Sequence, residues 1–337
     1  MKKQRIQRES NEMKKQRQRV DDSQKRRRYA ASNRTPWGLI VGALLIILAV
    51  VGVIVYMSQQ SGSSTGATAT PTPASATVLD AVTHVSPSVL SAVGTGGQQK
   101  LLTSIRNSSP PPPALVGPTG KPEFFYFGAE YCPYCAAQRW SVVVALSQFG
   151  TFSKLNQTTS SSTDVYPSTP TFTFYQSAYT SQYIDFVSVE STTNQSDGNG
   201  GYTTLQTPTA EQEQLLTKYD GPPYLSSAGS IPFINVANQM VMQGANYSPQ
   251  VLSNLSWDDI ANDLSNPSSD VTKGIVGSAN YLTAAICMST NQKPASVCTA
   301  APIPAIQQSL NTASVTPGNQ QLGVVSPMTE AVLRRME

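Results

Sequence analysis

The sequence has 337 residues, of which 13% are charged, and a formal net charge of +3. Residues 1–34 hold 13 Lys and Arg against 4 Asp and Glu, which leaves a net charge of −6 for the rest of the chain. The main part of the chain therefore lacks the basic balance of a nucleic-acid-binding domain, and no nucleic-acid partner is predicted. The sequence has one histidine, His84, with no cysteine near it, which argues against Cys/His zinc sites and against Cys–His or Ser–His–Asp nucleophiles.

The start of the chain is typical of a membrane anchor. Residues 1–36 form a basic tail, and residues 37–57 contain an uncharged apolar run that is long enough, at about 1.5 Å per residue, to cross a bilayer. Trp37 and Tyr56 stand near the two ends of this run, where aromatic side chains favour the interface. The pattern predicts a single-pass protein of the cell membrane, with a cytoplasmic N-terminus that contacts lipid and an extracytoplasmic main domain. A cleaved signal peptide is the alternative, but the leader and the apolar run are both longer than a signal peptide requires.

Three further segments follow the predicted anchor. Residues 58–77 are rich in Ser, Thr, Gly and Pro and are predicted to be a flexible linker. Residues 78–300 are predicted to form one extracytoplasmic domain, and residues 301–337 a low-complexity C-terminal tail. The apolar positions between Val78 and Ile105 predict one or two short helices that pack on the main domain.

The centre of the domain combines a strand, a cysteine pair and a helix. Lys121–Gly128 is an aromatic-rich run that predicts a strand, and a helical pattern follows Cys132 and Cys135 as far as Gly150. The later predicted elements are strands at Thr169–Tyr175 and Gln182–Val189, a loop at Ser191–Gly201, a helix at Thr209–Tyr219, a hairpin of Ser230–Val236 with Gln239–Met242, one helix or two at Ser248–Leu264, and a helix at Val271–Thr290.

The position of the two cysteines indicates redox chemistry. A sulfur at a helix N-terminus is stabilised as the thiolate by unpaired N–H groups and by the helix dipole. Cys132 is therefore the predicted nucleophile, and Cys135, one turn further on, is predicted to resolve the mixed disulfide. Half of a zinc site and an inert structural bridge are the alternatives. The lack of a second CxxC argues against zinc, and the strand–helix setting argues against an inert bridge, so no metal or other cofactor is predicted.

The segment GAEYCPYC, followed by AAQRW, resembles the thioredoxin superfamily, whose typical site is an Ala-Glu-aromatic-Cys-x-x-Cys turn. The longer pattern, with SIPFINV and a late pair of cysteines, is similar to a membrane-anchored thioredoxin-like family of archaea and bacteria that is catalogued as a domain of unknown function. The resemblance covers about residues 78–300. It implies an α/β, thioredoxin-like fold with insertions, preceded by a single transmembrane helix, and the order of the predicted elements agrees with that fold.

The resemblance also implies where a substrate binds. Ile231 and Pro232 match the cis-proline loop that faces the cysteines, where a substrate backbone can pair. An ordinary trans proline that opens a strand is the alternative. Tyr131 and Tyr134, beside the cysteines, complete the predicted substrate-binding residues.

One position departs from the thioredoxin pattern. Tyr126 stands where thioredoxins bury an aspartate, which leaves open how Cys135 loses its proton. Glu130 is a candidate substitute, although a solvated turn residue is its expected role. Arg139 is expected to be a surface or capping residue.

Cys287 and Cys298 form a second pair near the end of the domain. In an oxidising compartment, the first interpretation is a structural disulfide that fixes the end of a helix. The alternative is a second redox pair that relays electrons from a membrane partner to the CxxC pair.

Together these features predict a membrane-anchored thiol–disulfide oxidoreductase that exchanges with cysteine-containing exported proteins and with a membrane redox partner. Whether it oxidises, reduces or isomerises them does not follow from the sequence. The alternative is a non-catalytic binding or assembly module of the cell surface, which keeps the fold and uses its disulfides for stability alone.

Overall fold

The computed structural model describes residues 71–99 and 102–311. The predicted basic tail, the predicted anchor at 37–57 and most of the predicted linker lie outside these residues. Within the described ranges the chain is a mixed α/β structure with eight α-helices and ten strands in three sheets. No single helix in this part of the chain is long and apolar enough to span a membrane, although one bent pair of short helices passes the test of length and composition.

A five-stranded sheet forms the centre of the molecule. Its order is β2-β10-β9-β3-β6, in which β3 and β6 are parallel and the other neighbours are antiparallel. The strands are β2 (Thr103–Ser104), β3 (Glu123–Gly128), β6 (Asp185–Glu190), β9 (Phe233–Val236) and β10 (Met240–Gln243). The predicted strand before the cysteines and the predicted hairpin after Pro232 are both confirmed.

The aromatic run of β3 is explained by burial on both faces of this sheet. Successive side chains of a strand point to opposite faces. Phe124 and Tyr126 accordingly enter the main core, whereas Phe125 enters a smaller core on the other face with Phe233 and Tyr219. A strand covered on both sides is a near-continuous hydrophobic run, as this one is.

Helix α3 (Pro133–Ser147) covers the main-core face and is buried on almost every side. Two polar side chains of this buried helix form hydrogen bonds to a neighbouring helix. Gln138 Nε2 donates to Ser278 Oγ at 3.1 Å, and Ser141 Oγ donates to the Ile275 carbonyl at 2.9 Å. Both partners belong to α6 (Asp270–Ser289), a mostly buried helix that packs along α3. The helices predicted after the cysteines and at Val271–Thr290 are thus confirmed.

Two smaller sheets surround this core. The first has the order β1-β4-β5, from β1 (Thr72–Pro73), β4 (Gly150–Thr159) and β5 (Pro170–Ser181). Gly150 is required where β4 begins, because a Cβ there would lie 2.2 Å from the Thr180 carbonyl oxygen. The second is a hairpin of β7 (Thr192–Ser196) and β8 (Tyr202–Thr204), and β7 lies within Ser191–Gly201, which the sequence predicts to be a loop.

The segment before the central sheet packs on the domain, as predicted. It contains α1 (Ala76–Thr83) and α2 (Pro87–Val93), whose first turns are capped by Ser75 and Ser86. Asn280 on α6 donates its side-chain amide to the carbonyls of Leu90 at 2.9 Å and Gly94 at 2.7 Å. The Leu90 carbonyl also accepts the Gly94 N–H at 3.2 Å, whereas the Gly94 carbonyl lies past the end of the helix, where carbonyls lack partners within the helix.

The remaining helices are α4 (Ala210–Tyr219), a 3₁₀ turn at Pro249–Leu252, α5 (Trp257–Asp263), α7 (Ala295–Cys298) and α8 (Ile303–Asn311). The predicted helix at Thr209–Tyr219 is confirmed, with a capping box between Thr209 and Gln212. The segment Ser248–Leu264 is two elements, since Ser253 is extended between them. Helix α8 buries Ile303, Ile306 and Leu310, so the compact domain continues past the predicted boundary at residue 300.

Candidate functional site

The two cysteines lie where the central strand passes into the buried helix. Strand β3 ends at Gly128, a short turn follows, and Cys132 is the N-cap of α3. The Cys132 sulfur accepts a hydrogen bond from the backbone N–H of Cys135 at 3.3 Å. Pro133 occupies the first turn, where the amide hydrogen that it lacks has no partner within the helix.

Both cysteines are free thiols, but they differ in access and in acidity. Cys132 is 6% exposed and Cys135 is fully buried. Burial raises the pKa of the Cys132 thiol, but the hydrogen bonds from Cys135 and the charge of Arg139 outweigh burial and leave this pKa below its ordinary value. Burial and the hydrogen bond to Cys132 hold the pKa of Cys135 well above its ordinary value. The pair therefore combines a slightly exposed cysteine whose thiol pKa is lowered with a fully buried cysteine whose thiol pKa is raised.

Arg139 is completely buried, and the expectation of a surface or capping residue is wrong. Its guanidinium binds Glu190, at the end of β6, through two bonds of 2.8 Å from Nε and 2.6 Å from Nη2. Nη2 also donates to the Ala129 carbonyl, in the turn before Cys132, at 2.7 Å. This forked pairing fixes the orientation of the guanidinium.

Glu130 is 2% exposed, so its expected role as a solvated turn residue is also wrong. Its backbone N–H donates to the Thr192 carbonyl at 2.9 Å, and its Oε1 has no hydrogen-bond partner among the described residues. Burial, with a smaller contribution from the charge of Glu190, raises the pKa of this carboxyl. Glu130 is thus a buried acid that keeps its proton to a higher pH than an ordinary glutamate does.

Tyr126 is the residue that departs from the predicted thioredoxin pattern. The ring is fully buried, packs edge-on against Phe174 at 4.9 Å, and has the Arg139 guanidinium 5.9 Å from its centroid. A Cβ on Gly128 would lie 2.5 Å from the tyrosine hydroxyl oxygen, so glycine is required for the ring to pass beside the turn. That hydroxyl has no hydrogen-bond partner in the described part of the chain.

Four tyrosines border the cysteines. Tyr131 stacks on Tyr202 of β8 with ring centroids 4.1 Å apart, and Tyr134 meets Tyr166 edge-on at 6.0 Å. Ser161 supports this arrangement, since its backbone N–H donates to the Tyr131 carbonyl at 2.8 Å. The two predicted tyrosines therefore lie at the site, each paired with a partner from a later segment of the chain.

Ile231 and Pro232 lie at the same edge of the sheet as the cysteine turn. Strand β9 runs antiparallel to β3, with Phe233 opposite Phe127, and this register places Pro232 beside the end of β3. The Ile231–Pro232 peptide bond is cis. The Pro232 carbonyl accepts a bond from the Gly244 N–H at 2.8 Å, which ties this loop to the end of the hairpin.

The second cysteine pair is a disulfide between α6 and α7. Cys287 and Cys298 are bonded to each other and are buried to 0% and 1% exposure. Burial on both sides agrees with the structural interpretation. No group of three or more His, Cys, Asp and Glu side chains in the described ranges is arranged to hold a metal ion.

The residues that contact the predicted site residues were not predicted from the sequence. Arg139 is the only charged residue in α3, a helix that is otherwise apolar or weakly polar, and this contrast was the available signal of burial. Glu190 carried no comparable signal, since it is separated from Arg139 by 51 residues. Tyr166 and Tyr202 lie in polar segments without a motif.

Residues 113–288 match the family model of a domain of unknown function, DUF929. The chain belongs to this family. The matched residues include the CxxC turn, the Arg139–Glu190 pair and the Pro232 loop, so the whole candidate site falls within the DUF929 region. No curated protein and no solved structure matches the chain.

Proposed function

We propose that this DUF929 protein is a thiol–disulfide oxidoreductase that uses Cys132 and Cys135. The observation that carries the proposal is the unequal pair at the start of α3. Cys132 caps the helix and has a lowered pKa, whereas Cys135 is enclosed behind it. Such a pair suits one sulfur that attacks and a second that resolves.

The order of the elements supports a thioredoxin-like fold with insertions. The cysteine-bearing strand β3 has a parallel neighbour, β6, on one side and the antiparallel hairpin of β9 and β10 on the other. Helix α3 follows the cysteines, and the Pro232 loop opens β9 beside them. The sheet of β1, β4 and β5 and the hairpin of β7 and β8 are the insertions in this interpretation.

The reaction needs only the two sulfurs and the substrate. The Cys132 thiolate attacks a substrate disulfide, one substrate sulfur leaves as a thiolate, and a mixed disulfide forms. Cys135 then attacks the Cys132 sulfur, the mixed disulfide breaks, and the second substrate sulfur leaves. The proton of Cys135 ends on the released substrate thiol, so that the protein is oxidised by two electrons and the substrate is reduced by two. The reverse sequence oxidises a substrate dithiol.

The proposed substrates are cysteine-containing proteins that have been exported across the membrane. The apolar run at 37–57 supports this location, and a membrane redox partner would then restore the CxxC pair after each cycle. Tyr131, Tyr134, Ile231 and Pro232 are the proposed substrate-binding residues.

The first test compares the full chain with its Cys132→Ser and Cys135→Ser variants. Turnover of a peptide disulfide, with dithiothreitol as the electron donor, is expected to fall at least a thousandfold in Cys132→Ser. Cys135→Ser should accumulate the mixed disulfide, which mass spectrometry detects. Ser153→Ala, at an exposed position, is the control. Equal turnover by Cys132→Ser and the wild type would contradict the proposal and favour a binding module.

A further inference from the structure

The ion pair of Arg139 and Glu190 is buried completely on both sides. Removing two charges from water costs free energy that their mutual attraction often fails to recover, so such a pair is weak evidence for a role in stability. We propose that Arg139 is a positioning residue whose buried positive charge stabilises the thiolates of Cys132 and Cys135. This inference rests on the proposed function.

Helical spacing places Arg139 beside the cysteines. Cys132 caps α3, Cys135 is three residues further on, and Arg139 follows four residues after that. Residues three, four and seven apart share one face of an α-helix. The guanidinium is also bonded to the Ala129 carbonyl, in the turn that leads to Cys132. One side chain is thus tied to both segments that hold the thiols.

The guanidinium cannot move away from the thiols, because Glu190 holds it by two bonds. Glu190 is itself fixed, since its Oε1 accepts the Phe174 N–H at 3.2 Å and its own N–H donates to the Gln206 side chain at 2.8 Å. Arg139 Nη1 is buried and has no hydrogen-bond partner in the described ranges. The cation therefore retains donor capacity when a negative charge appears on sulfur.

Among the residues that the structure describes, the other ionisable groups around the thiols bring no second cation. Burial raises the pKa of the neighbouring tyrosines and of Glu130, which favours their neutral forms. Glu190 is the counterion, and Asp164 acts on Tyr131 and Tyr134 at the rim. The charge of Arg139 lowers the pKa of both cysteines, against the effect of burial. The ionisable groups that act on the thiols are Tyr126, Tyr131, Tyr134 and Arg139, and the two glutamates act on Arg139.

This role answers the question raised by Tyr126. A thioredoxin has a buried carboxylate at that position, whereas a tyrosine of raised pKa is a poor proton acceptor. In the resolving step Cys135 must attack as the thiolate, and its proton finally resides on the released substrate thiol. A fixed cation lowers the free energy of that thiolate without accepting the proton.

The test measures the rate at which iodoacetamide alkylates Cys132 in the reduced full chain between pH 5 and pH 9, with the labelled peptide identified by mass spectrometry. Replacing the pair by Arg139→Gln with Glu190→Gln removes both charges and should slow alkylation about tenfold at pH 6, because one pKa unit changes the thiolate fraction tenfold. Glu190→Gln alone leaves the cation unopposed and should accelerate alkylation severalfold. Arg139→Lys keeps the charge and should stay within about twofold of the wild type.

The double variant is expected to slow alkylation, and Glu190→Gln alone is expected to accelerate it. These opposite changes in rate distinguish an electrostatic effect from damage to the fold. A merely structural pair would give the same change in both glutamine variants, or none, and either result would overturn the inference. Glu190→Gln preserves an acceptor for Arg139, so its rate decides the question even where the double variant fails to fold by circular dichroism. If the wild type turns over peptide disulfides and these rates do not move, only the role of Arg139 fails. If the wild type has no turnover, the proposed function fails whatever the alkylation rates.

Discussion

At the scale of single residues, burial acts on the two cysteines in the same direction, and their contacts decide the difference. Each thiol loses water, which raises its pKa. Only Cys132 accepts hydrogen bonds from Cys135, and these bonds, together with the charge of Arg139, lower its pKa by more than burial raises it. The lowered pKa of Cys132 therefore depends on its place at the helix N-terminus and on Arg139 rather than on its exposure.

Asp220 gives a prediction at the same scale. It caps the end of α4, accepts a bond from Gln243 Nε2 at 2.6 Å, and burial raises its pKa to about 7. An unfolded aspartate has a pKa near about 4, so between these values the folded chain holds a proton that the unfolded chain has lost. The free energy of unfolding therefore falls as the pH rises from about 4 to about 7.

Asp220→Asn should remove this contribution, because the amide oxygen can still accept the bond from Gln243. We expect equal stability of the variant and the wild type near pH 4, and a more stable variant at pH 8, by up to about 4 kcal/mol. Urea unfolding at both pH values measures the difference. Asp258→Asn, at an exposed site, is the control. A variant that is less stable than the wild type at pH 8 would contradict the prediction.

At the scale of the elements, strands with aromatic or branched residues were predictable and polar ones were not. Strands β3, β9 and β10 follow from their apolar runs. Strand β7 reads Thr-Thr-Asn-Gln-Ser and looks like a loop, because its pairing with β8 comes from tertiary contacts that local sequence does not record. The two cysteines and Pro232 were predictable in the same way, because they belong to motifs. The pairing of Arg139 was not predictable, because its partner Glu190 lies 51 residues later in the sequence.

The disulfide between α6 and α7 gives a prediction for these elements. Replacing Cys287 and Cys298 together by serine should lower the free energy of unfolding by about 2–4 kcal/mol, because the unfolded chain regains the freedom of a closed loop. Turnover of the peptide disulfide should be retained. The control is the variant in which Cys132 and Cys135 are both replaced by serine. It should show the opposite pattern, with turnover lost and the free energy of unfolding unchanged. Lost turnover with unchanged stability in the Cys287 and Cys298 variant would support the electron relay instead.

At the scale of the whole molecule, the α1–α2 segment joins the domain through three helices: α1 packs on α3 and α5, and α2 packs on α6. Apolar packing predicted this contact from the sequence, but the bonds from Asn280 to α2 did not follow from any pattern. A buried asparagine is recognisable only once the helix end that it satisfies is known. The close approach at Gly277, where a Cβ would lie 2.3 Å from the Thr95 carbonyl oxygen, shows how tightly the two regions fit.

Asn280→Ala should loosen this junction. It leaves the Gly94 carbonyl without its donor and removes one of the two bonds to the Leu90 carbonyl, which should lower the free energy of unfolding by about 1–3 kcal/mol. Limited proteolysis is expected to cut between residues 84 and 99 earlier than in the wild type. Asn262→Ala, at an exposed position on α5, is the control. A cleavage pattern and stability unchanged from the wild type would show that apolar packing alone holds the segment.

The pairing of Arg139 with Glu190 has a consequence for the order of events during folding. In the unfolded chain Cys132 and Glu190 lie far apart in sequence, and the thiols then have the reactivity of those in any short peptide. The cation is fixed beside the sulfurs only after β6 has joined β3. We therefore expect the reactive thiolate to appear only after these two strands have paired, so that the partly folded chain carries ordinary thiols rather than activated ones.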